Sequence, residues 1–241
     1  MKKLGLLGGT SWHSTLDYYR LINQAVQDQE GGLTSADLMI RSVNFAPFHE
    51  FQVTHQWDKI AEQFIADALA MKSAGVEALV ICANTMHQVA ADVEQGVQLP
   101  VLHIADALAR KLPTPAAGKQ NPMVERSATK LGVLGTEFTM EMPFYRDALL
   151  QRHIEMLVPE PVARKEVNRI IFEELVTGQV LKSSRDYYLA QVDWLEQAGA
   201  EAVVLGCTEI GMLLNQSLTA TPLIDSLSAH VEYIVEYSLD H

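Results

Sequence analysis

Residues 3–9 read KLGLLGG, and residues 130–136 read KLGVLGT. An apolar run closed by the same glycine therefore stands twice in the chain. Two further stretches repeat in the same order. AGVEALVI at 74–81 returns as AGAEAVVL at 198–205, and QLPVLHIADAL at 98–108 returns loosely as TPLIDSLSAH at 221–230. The first two pairs are offset by 127 and 124 residues, so order and spacing both hold and the two halves read as copies of one unit.

Short apolar runs alternate with amphipathic patterns, which predicts parallel strands joined by helices. The fold class is therefore α/β, with two pseudosymmetric lobes, each a mostly parallel sheet flanked by helices. Residues 1–104 with 222–241 are expected to form the N-terminal lobe, and residues 105–221 the C-terminal lobe. In the first copy, strands are predicted over residues 3–9, 38–44 and 78–82. A helix opened by Ser14 and Asp17, an S-x-x-D pattern, carries the stripe Tyr18, Leu21, Ile22, Ala25 and Val26. A second helix carries Ile60, Phe64, Ala68 and Met71 and ends before Gly75. Between the copies, PTPAAGKQNPMVERSAT (113–129) reads as a loop. Ligands of open α/β sheets bind at the carboxyl ends of the strands, so two facing lobes predict an active site in the cleft between them.

Composition narrows the partners. A net charge of −12 over 241 residues argues against nucleic acid or an anionic membrane, both of which need clustered Lys and Arg. A small molecule fits better. The opening MKKLGLLGG has too few apolar residues for a signal-peptide core or a spanning helix, which predicts a cytoplasmic protein. Two cysteines far apart make no disulfide framework, and the histidines show no metal-ligand spacing, so no metal is expected. GlyGly at 8–9 lacks the full dinucleotide fingerprint, which argues against a nicotinamide cofactor.

The chemistry gathers at two strand ends. Cys82 and Cys207 each follow an apolar strand and precede hydrogen-bonding residues, Asn84 and Thr85 in one copy, Thr208 and Glu209 in the other. Each cysteine has a bland reading as a small buried hydrophobe. Backbone N–H groups where a helix begins can instead hold a carboxylate and lower a thiol pKa. A thiolate beside an anchored carboxylate suits abstraction of an α-proton, and two such thiols on opposite faces of a carbon would invert it.

The chain resembles the aspartate/glutamate racemase family over nearly its whole length. The stretches that carry the likeness are GGTSWHSTLDYYRLIN (8–23), NTMH (84–87), GTEFTMEMPFY (135–145), RKEVNRIIFEEL (164–175) and GCTEIG (206–211). The resemblance implies a cofactor-independent isomerase, a homodimer, and catalysis by two cysteines, the first immediately before Asn-Thr and the second opening C-T-E. Cys207 matches the second. The first is displaced, because the tetrapeptide here is C-A-N-T and Ala83 stands at the matching position. The repeat points the same way independently: AGVEALVICA set on AGAEAVVLGC pairs Ala83 with Cys207 and Cys82 with Gly206. Strand side chains alternate faces, so the offset predicts that Cys82 packs inward unless the strand breaks before it.

By the same resemblance Ser11, Gln52, Asn84, Thr85, Thr136, Thr139 and Thr208 surround the substrate. Lys165 matches a lysine that binds the side-chain carboxylate in aspartate-specific members, whereas no arginine stands near Pro47 and Phe48 to match theirs. Plainer readings remain open: caps for Ser11 and Thr139, a solvated helix lysine for Lys165, a helix cap for Glu209. Glu209 could otherwise pair with substrate ammonium or tune Cys207, and His87 reads as packing rather than catalysis. The function expected is an amino-acid racemase or epimerase acting without pyridoxal phosphate or metal. The alternatives are a single-cysteine decarboxylase of a related family and a protein that binds an amino acid or carboxylate without turnover.

Overall fold

A computed structural model of the protein describes residues 1–111 and 129–240. The segment expected as a loop, 113–129, lies outside the described residues except for Thr129. The chain divides into two compact units: Met1–Ile104 with Leu227–His241, and Ala105–Ser226.

In the first unit the order is β1 (Leu4–Gly8), α1 (Trp12–Glu30), β2 (Leu38–Ser42), α2 (Phe45–Val53), α3 (Trp57–Ser73), β3 (Ala78–Ile81) and α4 (Ala90–Val97). Helix α5 (Ile104–Lys111) follows at the passage into the second unit. The second unit holds β4 (Thr129–Leu134), α6 (Glu137–Glu141), α7 (Pro143–Leu150), β5 (Ile154–Leu157), α8 (Pro161–Arg169), α9 (Lys182–Gln197), β6 (Ala202–Leu205) and β7 (Leu223–Asp225). Helix α10 (Ser226–Leu239) carries the chain back. Pairing of β7 with β6 keeps residues 223–225 in the second sheet, so the chain re-enters the first unit at Leu227.

Among the described residues the sheets run β2-β1-β3 and β5-β4-β6-β7, parallel throughout. The sequence repeat is also a repeat of register. Leu4 pairs with Ala78 and Leu7 with Ile81, just as Leu131 pairs with Ala202 and Leu134 with Leu205. The next rung matches too, the Cys82 N–H donating to the Leu7 carbonyl at 3.0 Å and the Gly206 N–H to the Leu134 carbonyl at 2.7 Å. A fourth strand follows in the second unit, whereas among the described residues the first has the isolated bridge Leu79–Val101 at the corresponding place.

Both faces of β1 and β3 are covered, whereas the edge strand β2 is largely exposed. Leu4, Leu6, Ala78, Val80 and Cys82 pack with Tyr18, Ile22 and Val26 of α1 and with Ile234 and Val235 of α10. Leu7, Leu79 and Ile81 face the other way, onto Ile60, Phe64, Ala68 and Met71 of α3. Near-continuous apolar strands buried on two sides are what parallel sheets need. The α1 cap differs from the expected one. Ser11, not Ser14, is the N-cap, its hydroxyl accepting the Ser14 N–H at 3.3 Å. The turn before it requires glycine: Gly9 has φ 90°, and a Cβ there would stand 2.2 Å from the Val43 backbone nitrogen. No helix among the described residues is long and apolar enough to cross a membrane.

Candidate functional site

The two strand ends have the same burial profile. From Ala78 to Cys82 every residue is buried, Ala83, Asn84 and Thr85 are half-buried, and Met86 is buried again. From Ala202 to Gly206 every residue is buried, Cys207, Thr208 and Glu209 are half-buried, and Ile210 is buried. Each strand then passes into a tight 3₁₀ turn, Thr85–Val89 and Thr208–Met212. The period-two alternation decides which residue emerges. Ala83 continues the face of Leu79 and Ile81, and Cys207 continues the face of Val203 and Leu205. Cys82 lies on the opposite face with Val80 and Ala78, wholly buried. Burial in that apolar layer pushes its thiol far up, because a thiolate there would lose its hydration with no charge to replace it.

Cys207 has polar company. Its Sγ donates to Glu209 Oε2 at 2.9 Å, and the Thr208 hydroxyl donates to the same oxygen at 2.7 Å. Burial first, then the negative charge and hydrogen bond of Glu209, push the Cys207 thiol well up, while backbone N–H groups of Glu209 and Thr208 pull the other way. The resting sulfur is thus a thiol with a proton acceptor in contact. It can give its proton to Glu209 and, as the thiolate, be a strong base.

At the same end of the second sheet as Cys207, β4 is followed by Thr136 and by Thr139 in α6. Thr136 caps α6, its hydroxyl accepting the Thr139 N–H at 3.3 Å. Thr139 is fully buried, and its methyl lies 3.5 Å from where a Cβ on Gly206 would stand. That contact is an ordinary one, and the tighter neighbour of such a Cβ is the Leu134 carbonyl oxygen at 3.1 Å, backbone that favours glycine before the cysteine. Asn168, which the sequence reading did not single out, accepts the Glu137 N–H at 2.9 Å and ties α6 to α8. Lys165 is exposed on α8, and Gln52 is buried in α2.

In the first unit, Ser11 caps α1 and Ser14 does what the sequence did not foretell. Its hydroxyl donates to the Cys82 carbonyl at 2.8 Å, joining the first turn of α1 to the end of β3 across 68 residues. Ser11 is thereby brought to the same end of the sheet as Asn84 and Thr85. His87 is buried and fully bonded. Its Nε2 accepts the Ile104 N–H at 3.3 Å, so Nδ1 carries the proton and donates to the Ala83 carbonyl at 3.0 Å and the Asn84 carbonyl at 3.3 Å.

Comparison with known proteins adds the following. A family model described as Asp/Glu/Hydantoin racemase matches residues 7–234. The broad-specificity amino-acid racemase RacX of Bacillus subtilis is 22% identical over 226 residues, 92% of each chain. A Yersinia pestis crystal structure provisionally designated an Asp/Glu racemase is 41% identical and superposes over 100% of both chains with a TM-score of 0.89. An aspartate racemase homologue from Pyrococcus horikoshii is 33% identical over 99% of both chains, with a TM-score of 0.81.

Proposed function

The chain belongs to the Asp/Glu/hydantoin racemase family, and on that premise we propose that it is an amino-acid racemase or epimerase acting without a cofactor, with Cys207 exchanging the α-hydrogen. The observation that carries this reading is the contact of Cys207 Sγ with Glu209 at 2.9 Å. The thiol proton passes to the Glu209 carboxylate, and the thiolate takes the α-proton and becomes a thiol again. The substrate is left as a planar carbanion conjugated with its carboxylate. Return of a proton to either face completes exchange or inversion. A base this strong suits an α-hydrogen, which is a very weak acid. Asn84, Thr85, Ser11, Thr136 and Thr208 supply neutral hydrogen bonds to the carboxylate and ammonium. Ala83 has no ionisable group, so one thiol does the acid–base work and a solvent-derived proton serves the other face. Inversion is then slower than exchange.

The substrate is an amino acid. Broad specificity in the Bacillus subtilis relative and the lack of an arginine near Pro47 both favour neutral as well as acidic side chains. The test is to incubate a panel of L- and D-amino acids with the protein in heavy water and follow α-hydrogen loss by NMR. Exchange abolished in Cys207→Ser and kept in Cys82→Ser supports one-thiol chemistry. Equal loss in both rejects it, and no exchange with any amino acid rejects the racemase reading. Because Ala83 leaves a single thiol, decarboxylation of an activated diacid, with Cys207 protonating the enolate, is the second reading. Its mark is carbon dioxide release.

A further inference from the structure

Three histidines from distant parts of the sequence meet behind the end of β3. The His87 ring lies 4.7 Å from that of His103 and 5.6 Å from that of His230, centroid to centroid. His230, on α10, uses both its nitrogens. The Tyr18 hydroxyl donates to Nδ1 at 2.8 Å, and Nε2–H donates to the Leu102 carbonyl at 2.7 Å. His87 likewise uses both, so neither ring has a lone pair left for a metal or a proton placed for a substrate. The cluster is built to hold its neighbours.

What His87 holds is the turn that presents Asn84 and Thr85. In an α-helix the N–H of residue 87 would bond to the carbonyl of residue 83. Here the backbone is a tighter 3₁₀ turn, and the His87 N–H goes to the Asn84 carbonyl at 3.1 Å. The imidazole Nδ1–H takes the Ala83 carbonyl in its place. The same ring accepts the Ile104 N–H, pinning the turn to the start of α5. In the second copy the corresponding residue is Gly211, and there the Ile210 N–H donates to the Cys207 carbonyl at 3.1 Å. One copy is thus braced by a side chain where the other has none.

We propose that His87 is a positioning residue: as the neutral Nδ1–H tautomer it spans the Ala83 and Asn84 carbonyls and the Ile104 N–H, and so holds Asn84 and Thr85 in the orientation that binds the substrate carboxylate. The carboxylate role rests on the function proposed above, whereas the bracing of the turn does not. Negative charge on the carboxylate grows as the α-proton leaves, so loss of the brace weakens the hold on both substrate and transition state and lowers kcat/KM.

Two near-isosteric variants separate the bonds. Asparagine puts an amide nitrogen near the place of Nδ1 and keeps a donor for Ala83. Glutamine reaches to the level of Nε2 and keeps an acceptor for Ile104. In the wild-type protein, long-range ¹H–¹⁵N spectra are expected to show His87 protonated on Nδ1 and bare on Nε2. In His87→Gln the amides of Thr85 and Met86 are expected to exchange with solvent about tenfold faster, the scale of one hydrogen bond, and His87→Asn restores most of the protection. For an amino acid that exchanges its α-hydrogen, kcat/KM falls about tenfold in His87→Gln and recovers most of that loss in His87→Asn. An Nε2–H tautomer, unchanged amide exchange in both variants, or an unchanged kcat/KM in His87→Gln overturns the proposal. If no amino acid exchanges in the wild type, the racemase reading fails, while the imidazole and amide data still decide whether His87 braces the turn. The tautomer is read on the unaltered protein, so a variant that fails to fold does not remove the test.

Discussion

Cys207 Sγ and Glu209 Oε2 stand 2.9 Å apart with the thiol as donor, two residues apart in sequence at the head of one turn. The carboxylate that accepts the proton also opposes the charge its departure creates. Burial and Glu209 together keep the sulfur protonated at neutral pH, so alkylation of Cys207 by iodoacetamide is expected to be slow at pH 7.5 and to quicken as pH rises. Glu209→Gln removes the charge and not the burial, and raises the rate about tenfold by increasing the thiolate fraction. Mass spectrometry of the labelled peptide reads this against buried Cys82, which remains unlabelled in the native protein. A rate unchanged or lowered in Glu209→Gln contradicts the electrostatic account.

Burial pulls the His230 pKa down to about 3, with the nearby His87 adding to the effect, and burial holds His87 well below its ordinary value. Both rings ionise near 6.5 once unfolded. Between pH 6.5 and about 3 the unfolded chain therefore binds more protons than the folded one. Stability is whole above that window and falls as pH drops through it, by about 1.4 kcal/mol per pH unit for each histidine that stays neutral. Urea midpoints at a series of pH values check this, and His230→Gln should flatten the slope by about one proton. A variant slope equal to the wild type's would mean that His230 titrates normally in the fold.

Ser14 and the Cys82 carbonyl make a buried bond between α1 and the end of β3. Ser14→Ala leaves that carbonyl without the hydroxyl, a loss of about 1–3 kcal/mol. The melting temperature is expected to drop by several degrees. The Ser11 cap is untouched by this change, since it accepts the backbone N–H of residue 14 rather than its side chain. A Ser14→Ala protein as stable as the wild type would show that the bond contributes nothing.

The repeat and the alternation of strand faces made the central feature of the site readable in advance. KLGLLGG against KLGVLGT fixes which strands correspond, and a period of two then sends Cys82 inward and Ala83 outward. Other features rest on contacts that local pattern does not encode. Helix α2 is not among the elements expected above; it admits Pro47 because that residue sits in its first turn, where an N–H has no intrahelical partner to lose. Ser11 and Ser14 are equally plausible caps on paper, and only the approach of the Cys82 carbonyl separates their roles. His87, His103 and His230 come together only when α10 returns to the first unit, so their spacing in sequence carries no signal.

Ala83→Cys tests the one-thiol reading most directly, because residue 83 is the structural counterpart of Cys207. Register, burial and sheet face all equate the two positions. A thiol there replaces a methyl hydrogen at a half-buried site, so the fold should tolerate it. If a missing acid or base limits inversion, a second thiol raises racemisation by about a hundredfold, the usual scale of one general acid–base group, while α-hydrogen exchange by Cys207 changes much less. The ratio of inversion to exchange in heavy water is the measurement. Cys82→Ser in the same background should leave that ratio alone, since Cys82 faces α1. An increase that requires Cys82, or none from Ala83→Cys, would show that proton delivery to the second face is not limited by residue 83.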